Sequence, residues 1–454
     1  KCLKPKPHAP GGEKWAIPHP ELEELKAAHE TGNLTGVAAK LKEELESLEK
    51  TRLDIAITGE SGSGKSSFVN AIRGLGDEDE GAAKTGVVET TKDPKAYPHP
   101  VLPNVTIWDL PGIGTPSFKP GSYLKQVKFN NYDFFIIIAS ERFTSHHTTL
   151  AREIHKMGKR FYYVRSKVDA DLYAAQNCRP STYNEVRILQ EIRDSCIKNL
   201  SDAREASPRV FLIWSWKWDK YDFPLLQETL ANELDAHKRH AFILGLPNIS
   251  AKILEKKKAE LKKRIWKLAL VSCGIAMLPV PGLSFACDVT ILLVNMKLYL
   301  TAFGLDDNSL TRLAKQVGKP VAELKSVIKA VPMANSISKE WVVSLLTKSA
   351  CAAVMIAEEV LDLIPVIGSV LSGGVSFGTT YYMLNSFLND AAKDVQNVLA
   401  KQDPPQPIGP CPVPLVLESS NPEITHGPHK SKNPKVQSQS SKVHQSGQKW
   451  EGER

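Results

Sequence analysis

The chain has few of the features that staple a small fold or send it to the secretory route. Its 454 residues hold seven cysteines, at 2, 178, 196, 273, 287, 351 and 411, with no CxxC pair and no zinc-like cluster. A disulfide framework is not expected, and a reducing compartment is. The first residues, KCLKPKPHAP, lack the apolar core of a secretory signal. No internal repeat is visible. Clean membrane spans are missing too. Leu268–Cys287 carries no charge over twenty residues, enough for a span by length, but Pro279, Pro281 and Gly282 interrupt it and Asp288 closes it. Leu363–Leu388 is broken by Pro365 and several glycines. We expect a buried helical hairpin here rather than membrane insertion. The net charge of +8 suits a solvated surface or an acidic membrane face, and no nucleic-acid partner is expected.

What is present divides along the chain. Residues 1–20 read as a flexible arm, and 21–50 as two helices broken at Thr31-Gly-Asn. From 51 to about 240 short β-rich runs alternate with helical ones. The strands are expected at Leu53–Thr58, Val105–Trp108, Phe134–Ala139, Phe161–Val164 and Val210–Trp214. Helices are expected at Ser66–Leu75, Thr148–Met157, Tyr183–Asn199 and Pro224–His237. This alternation predicts an α/β domain with a mostly parallel sheet and helices on both faces. Residues 241–400 read as all-α, and 401–454, rich in Pro, Ser, Gln and Lys, as a disordered tail.

One motif fixes the chemistry. Gly59-Glu60-Ser61-Gly62-Ser63-Gly64-Lys65-Ser66 fits GxxxxGK[ST] between a strand and a helix. Glycines let backbone N–H groups close around phosphates, and the helix start at Ser66 and Ser67 adds a positive dipole end. Lys65 is expected on the β- and γ-phosphates, and the Ser66 hydroxyl on Mg²⁺. A second apolar run ends in Asp109-Leu-Pro-Gly112; its carboxylate can hold the Mg²⁺ shell and the Gly112 amide can sense a γ-phosphate. Between these lies Thr85-Gly-Val-Val-Glu-Thr-Thr91. It is either a switch with a hydroxyl for Mg²⁺, Thr91 being the candidate, or an ordinary Thr-rich edge strand. A third strand ends in Ser166-Lys167-Val168-Asp169. A carboxylate there accepts N1–H and N2–H₂ of guanine, whereas adenine leaves it unpaired, which argues against an ATP-using enzyme. The loop at Ser215 is expected to complete the base pocket.

With these motifs in place the resemblance is recognisable. GESGSGKSS, TGVVETT, WDLPGIG, YDFFIIIAS, FYYVRSKVD and KYDFP resemble the immunity-related (interferon-inducible) GTPases of the GKS class, as do LPNISAKILEKKKAELKKRIW and FGLDD. The resemblance spans roughly residues 20–400. It implies a Ras-like G domain between N- and C-terminal helices, GTP-dependent homo-oligomerisation through G domains, and a cytoplasmic protein peripheral on internal membranes (endoplasmic reticulum, Golgi or vacuole), often in cell-autonomous defence. By position, Gly62–Ser66 would bind phosphates, Thr85 would lie in the first switch, and Ser166–Asp169 with Ser215 would bind guanine.

Small GTPases place a glutamine after DxxG to orient the attacking water. Here that position is Ile113, so slow intrinsic turnover is expected, with catalysis completed by a second molecule. Glu89 is the candidate trans-acting group; its bland reading is an exposed switch carboxylate. A slow or non-hydrolysing GTP-binding regulator is the alternative. Residues 252–267 carry eight basic and two acidic residues beside an apolar run, a pattern that can bind anionic lipid.

Overall fold

The computed structural model describes residues 27, 31, 33–86, 91–113, 123, 125–202, 208–248, 250–276, 282–348 and 371–401. The arm, most of the first N-terminal helix and the tail at 402–454 lie outside these.

Five apolar runs form a six-stranded sheet together with one strand not anticipated. The strands are β1 (Leu53–Gly59), β2 (Lys95–Pro98), β3 (Val105–Asp109), β4 (Phe134–Ala139), β5 (Arg160–Arg165) and β6 (Val210–Leu212). Their order is β2-β3-β1-β4-β5-β6. All neighbours are parallel except the antiparallel β2–β3 pair. In β4 every residue is buried, as expected of a strand covered on both faces. β2 escaped notice because it is short, exposed at all but Tyr97, and ends in proline, the composition of an edge strand. The edge therefore falls just past the Thr85–Thr91 segment.

Each sheet face has its own helices. On one side pack α2 (Lys65–Ile72), α6 (Phe223–Glu233) and α7 (Ala236–Gly245). On the other pack α3 (Ser145–Lys156), α4 (Val168–Cys178) and α5 (Glu185–Asp202). The helix expected over Pro224–His237 is two, because Asp235 starts a new one by accepting from the Lys238 amide.

Among the described residues beyond α7, every regular element is helical: α8 (Ala251–Ala276), α9 (Leu283–Ala302), α10 (Asp307–Val317), α11 (Val321–Ser326), α12 (339–348) and α13 (Leu371–Ala400). The N-terminal helix α1 (Leu34–Lys50) joins their core through Leu41 and Leu45. Gly274 of α8 lies so close to α1 that an added Cβ would collide with Ala38. The uncharged run beginning at Leu268 is buried as far as Gly274. The stretch from Leu283 passes a membrane-span test by length and composition alone, yet Asp288, Val289, Leu292 and Met296 in it are buried inside the bundle.

The basic stretch in α8 is largely paired. Lys252 and Lys256 reach Glu228, Lys263 reaches Glu260, Arg264 reaches Glu49 and Lys267 reaches Glu44. Four of these five pairs tie α8 to α6 and α1.

Candidate functional site

The parallel strands β1, β3 and β5 end at one edge of the sheet, where the phosphate loop, the Asp109 loop and the Lys167 loop meet. Such an edge is where α/β sheets bind ligands. Gly59 has φ +142°, and a Cβ there would collide with the Ile138 carbonyl oxygen; only glycine lets the chain turn so close to β4. Gly64, in left-handed conformation, caps the start of α2.

The magnesium candidates converge. Asp109 is fully buried, and its Oδ2 accepts from Ser66 Oγ at 2.7 Å and from Thr91 Oγ1 at 3.0 Å. Its Oδ1 is buried with no hydrogen-bond partner among the described residues. A buried carboxylate beside two hydroxyls is a hard-oxygen set that fits Mg²⁺, an ion that takes one or two protein oxygens and completes its shell with water and phosphate. No group of three or more acidic, His or Cys side chains suited to a metal occurs among the described residues. Burial raises the Asp109 pKa, opposed by the Ser66 hydrogen bond and the Lys65 charge. Thr85, the other switch candidate, is exposed. Glu89 lies outside the described residues.

The Asp109 loop is zipped to the phosphate loop. The Ile113 amide donates to the Gly59 carbonyl, and the Ser61 amide donates to the Ile113 carbonyl, at 3.0 and 3.3 Å. A Cβ on Gly112 would stand 3.0 Å from Ser61, so any larger residue would press on the phosphate loop at this close approach. The Ile113 side chain is 1% exposed, in the core beneath the loop. Lys65 folds back on the loop, donating from Nζ to the Glu60 carbonyl at 2.8 Å.

The base-reading loop crosses the same edge. Ser166 Oγ donates to the Ser63 carbonyl at 2.6 Å and also lies 3.2 Å from the Ala139 carbonyl. The short serine thus still anchors this loop to the phosphate loop. Lys167, left-handed at φ 56°, sends Nζ to the Gly62 carbonyl at 2.9 Å. Val168 is buried, and its amide meets the Ile213 carbonyl at 3.4 Å, joining this loop to the one after β6. Asp169 follows in the first turn of α4, its Oδ1 buried without a partner among the described residues and its pKa raised by burial. Ser215 sits in the adjoining loop, its carbonyl accepting from Trp218 Nε1 at 2.7 Å.

One contact set was not anticipated. Glu60 is held from α3: Thr144 Oγ1 donates to Glu60 Oε1 at 2.7 Å, and the buried His147 ring lies 3.9 Å from the same oxygen. His147 Nδ1 accepts the Thr144 amide proton at 3.1 Å, and burial lowers its pKa to about 4. The only trace in the sequence is Thr144-x-x-His147 before a helical run, a capping pattern with histidine in the usual Glu/Gln place.

The chain is similar to known proteins along most of its length. The profile of the interferon-inducible GTPase (IIGP) family matches residues 19–402. Interferon-inducible GTPase 5 of Rattus norvegicus is 49% identical over 381 residues, covering 84% of this chain and 82% of that protein. Interferon-gamma-inducible GTPase 10 of Mus musculus is 42% identical over 381 residues, covering 84% and 89%. Toc33 from Arabidopsis thaliana, solved with Mg²⁺ and GMPPNP, is a distant likeness at 14% identity and TM-score 0.29, covering 43% of this chain and 81% of that one. On the match along most of its length, the chain belongs to the interferon-inducible GTPase family.

Proposed function

We propose that this protein binds GTP with Mg²⁺ and hydrolyses the β–γ anhydride slowly, assembling with copies of itself through its G domains when GTP is bound. The observation that carries the reading is the meeting of Ser66 and Thr91 on Asp109 beside the Lys65 loop. When bound there, Mg²⁺ would supply charge neutralisation for the phosphates. Gly59–Ser67 supply backbone donors, and Lys65 supplies a cation. Asp169 accepts from guanine, and the stem of Lys167 covers the base.

Slow turnover is supported by the burial of Ile113: the position after Gly112 offers no side chain to orient water. Groups from a second copy would complete the site, with Glu89 as the candidate. Family membership supports an interferon-linked role in cell-autonomous defence. It also supports cytoplasmic, peripheral attachment to endoplasmic reticulum, Golgi or vacuolar membranes, although the pairing of the α8 lysines removes much of the expected lipid-binding patch.

The test measures GTP binding, turnover and particle size for wild type and Lys65→Ala in each nucleotide state. Turnover per molecule is expected to rise with protein concentration; a flat profile would rule out self-activation. Single-turnover measurement separates slow hydrolysis from a regulator that binds GTP without cleaving it. Flotation with vesicles, with and without a GTP analogue, tests the membrane role.

A further inference from the structure

Strand β2 links two places that share no sequence neighbourhood. At one end Lys95 pairs with Asp109, and Thr91, four residues earlier, donates to that carboxylate. At the other end Pro98 pairs with Thr106, and the ladder continues through the His99 amide to the Val105 carbonyl at 2.8 Å. His99 then enters the boundary between the sheet and the helical bundle. Its Nδ1 accepts from the Val101 and Leu102 amides at 3.2 and 3.3 Å, which assigns the ring proton to Nε2. That Nε2 is buried beside Gly245, at the end of α7. Leu102, on the same turn, packs against both the sheet core and the helical core.

On the bundle side stands Lys257 of α8, close enough for its charge to act on His99; it is fully buried, its Nζ donating at 2.6 Å to the carbonyl of Ala302, the last residue of α9. Asn248 Nδ2 shares that carbonyl at 3.3 Å. An ammonium carries three donors, and this one has a single acceptor among the described residues. Buried acceptors lie nearby along the chain without partners among the described residues: Asn248 Oδ1, and Asp306 Oδ2 at the start of α10. Such a node has more than one way to pair its groups, and re-pairing of this kind makes an interface two-state rather than continuously deformable.

The sheet side is stiff where it meets this node. Arg73, at the end of the phosphate-loop helix, donates to the Pro98 carbonyl through Nε and Nη2 at 3.2 and 2.9 Å, and to the Gly81 carbonyl at 3.0 Å. Asn70 of the same helix grips Asp77 and both polar backbone groups of Ala83. Lys315 of α10 reaches Glu78 at 3.2 Å. Displacement of Thr91 therefore has a short, hydrogen-bonded route to His99 and little slack in which to be absorbed.

We propose that the His99–Lys257 node is the joint through which occupancy of the magnesium and γ-phosphate site changes the packing of α8, α9 and α10. The inference rests on the guanine-nucleotide reading and adds a mechanism by which the bundle senses it. A coupled pair of sites typically differs by about 5- to 150-fold between states.

The test is hydrogen exchange on the full chain with Mg²⁺ and either GDP or a non-hydrolysable GTP analogue, with nucleotide affinity measured in parallel. In wild type, amides in 246–258 and 299–310 are expected to change protection at least about fivefold between the two states. In Lys257→Met that difference is expected to fall below about twofold while GDP affinity is retained. His99→Asn, which alters the sheet side of the joint, carries the same expectation if the first variant does not fold. Equal protection in both states of wild type, with both nucleotides bound, would overturn the joint. So would a full response in the variants. Failure of wild type to bind either nucleotide would instead sink the guanine-nucleotide reading, and the joint with it.

Discussion

At the scale of single residues the site is a set of buried polar atoms whose ligands are dictated by charge. Lys65 brings the only side-chain cation of the GxxxxGKS motif to the phosphates. Lys65→Ala is expected to lower GTP affinity or turnover by about 10²-fold or more, the effect of losing one preorganised charged donor. An unchanged rate would show that hydrolysis happens elsewhere. Asp169 offers two acceptor oxygens where guanine offers N1–H and N2–H₂. Asp169→Asn replaces one acceptor with a donor, which suits the 2-oxo group of xanthine. Affinity for GTP is expected to fall about 10²-fold, and XTP to be favoured over GTP. Competition between the two triphosphates measures this directly. Burial raises the pKa of both Asp109 and Asp169. Both must be ionised to bind, one to hold Mg²⁺ and the other to accept from guanine. Affinity for Mg²⁺·GDP should therefore start to fall, as the pH drops, above the ordinary carboxylate range. A pH profile set by the ordinary range would contradict the placement of these groups.

At the scale of elements, legibility followed the reach of the signals. β1, β3 and β4 were readable because each is an apolar run and two of them lead into a chemical motif. β2 was not, since four residues that are mostly exposed and end in proline look like loop until β3 is there to pair with. The start of α7 was marked by Asp235, yet Pro224–His237 reads as one helix because the break between them is a single capped turn. The partners of the basic run of α8 are hidden for a different reason. Glu44, Glu49 and Glu228 lie far away in sequence, so counting charge along the chain cannot see these ion pairs. The Glu44 and Glu49 pairs, together with the Gly274–Ala38 contact, fix α1 against α8. Gly274→Val should force these helices apart and lower stability by about 1–3 kcal/mol, the usual effect of overpacking. A thermal midpoint equal to wild type would mean that α1 is not held at this contact.

At the scale of the whole molecule, one buried cation makes stability depend on pH. Burial alone pushes Lys257 down to about 7 from its ordinary 10.5. The folded protein therefore releases this proton near neutrality, whereas the unfolded chain holds it up to 10.5. Between these two values the unfolded state binds more protons, so stability rises with pH across the window. Below about 7 both states are protonated, and the full desolvation penalty of the charged amine weighs on the fold. His99, which burial and the Lys257 charge push down to about 3, acts in the same sense at lower pH. Lys257→Met keeps the aliphatic length and removes the titration. The variant is expected to be more stable than wild type at pH 7 and to lose the rise in unfolding midpoint between about pH 7 and 9. Chemical denaturation at a series of pH values, with nucleotide-free protein in each case, separates this from any effect of ligand binding. If wild type and variant have parallel pH profiles, Lys257 is solvated in the folded protein. The junction between sheet and bundle would then be wet and loosely packed, and would offer no stiff path for β2 to act on.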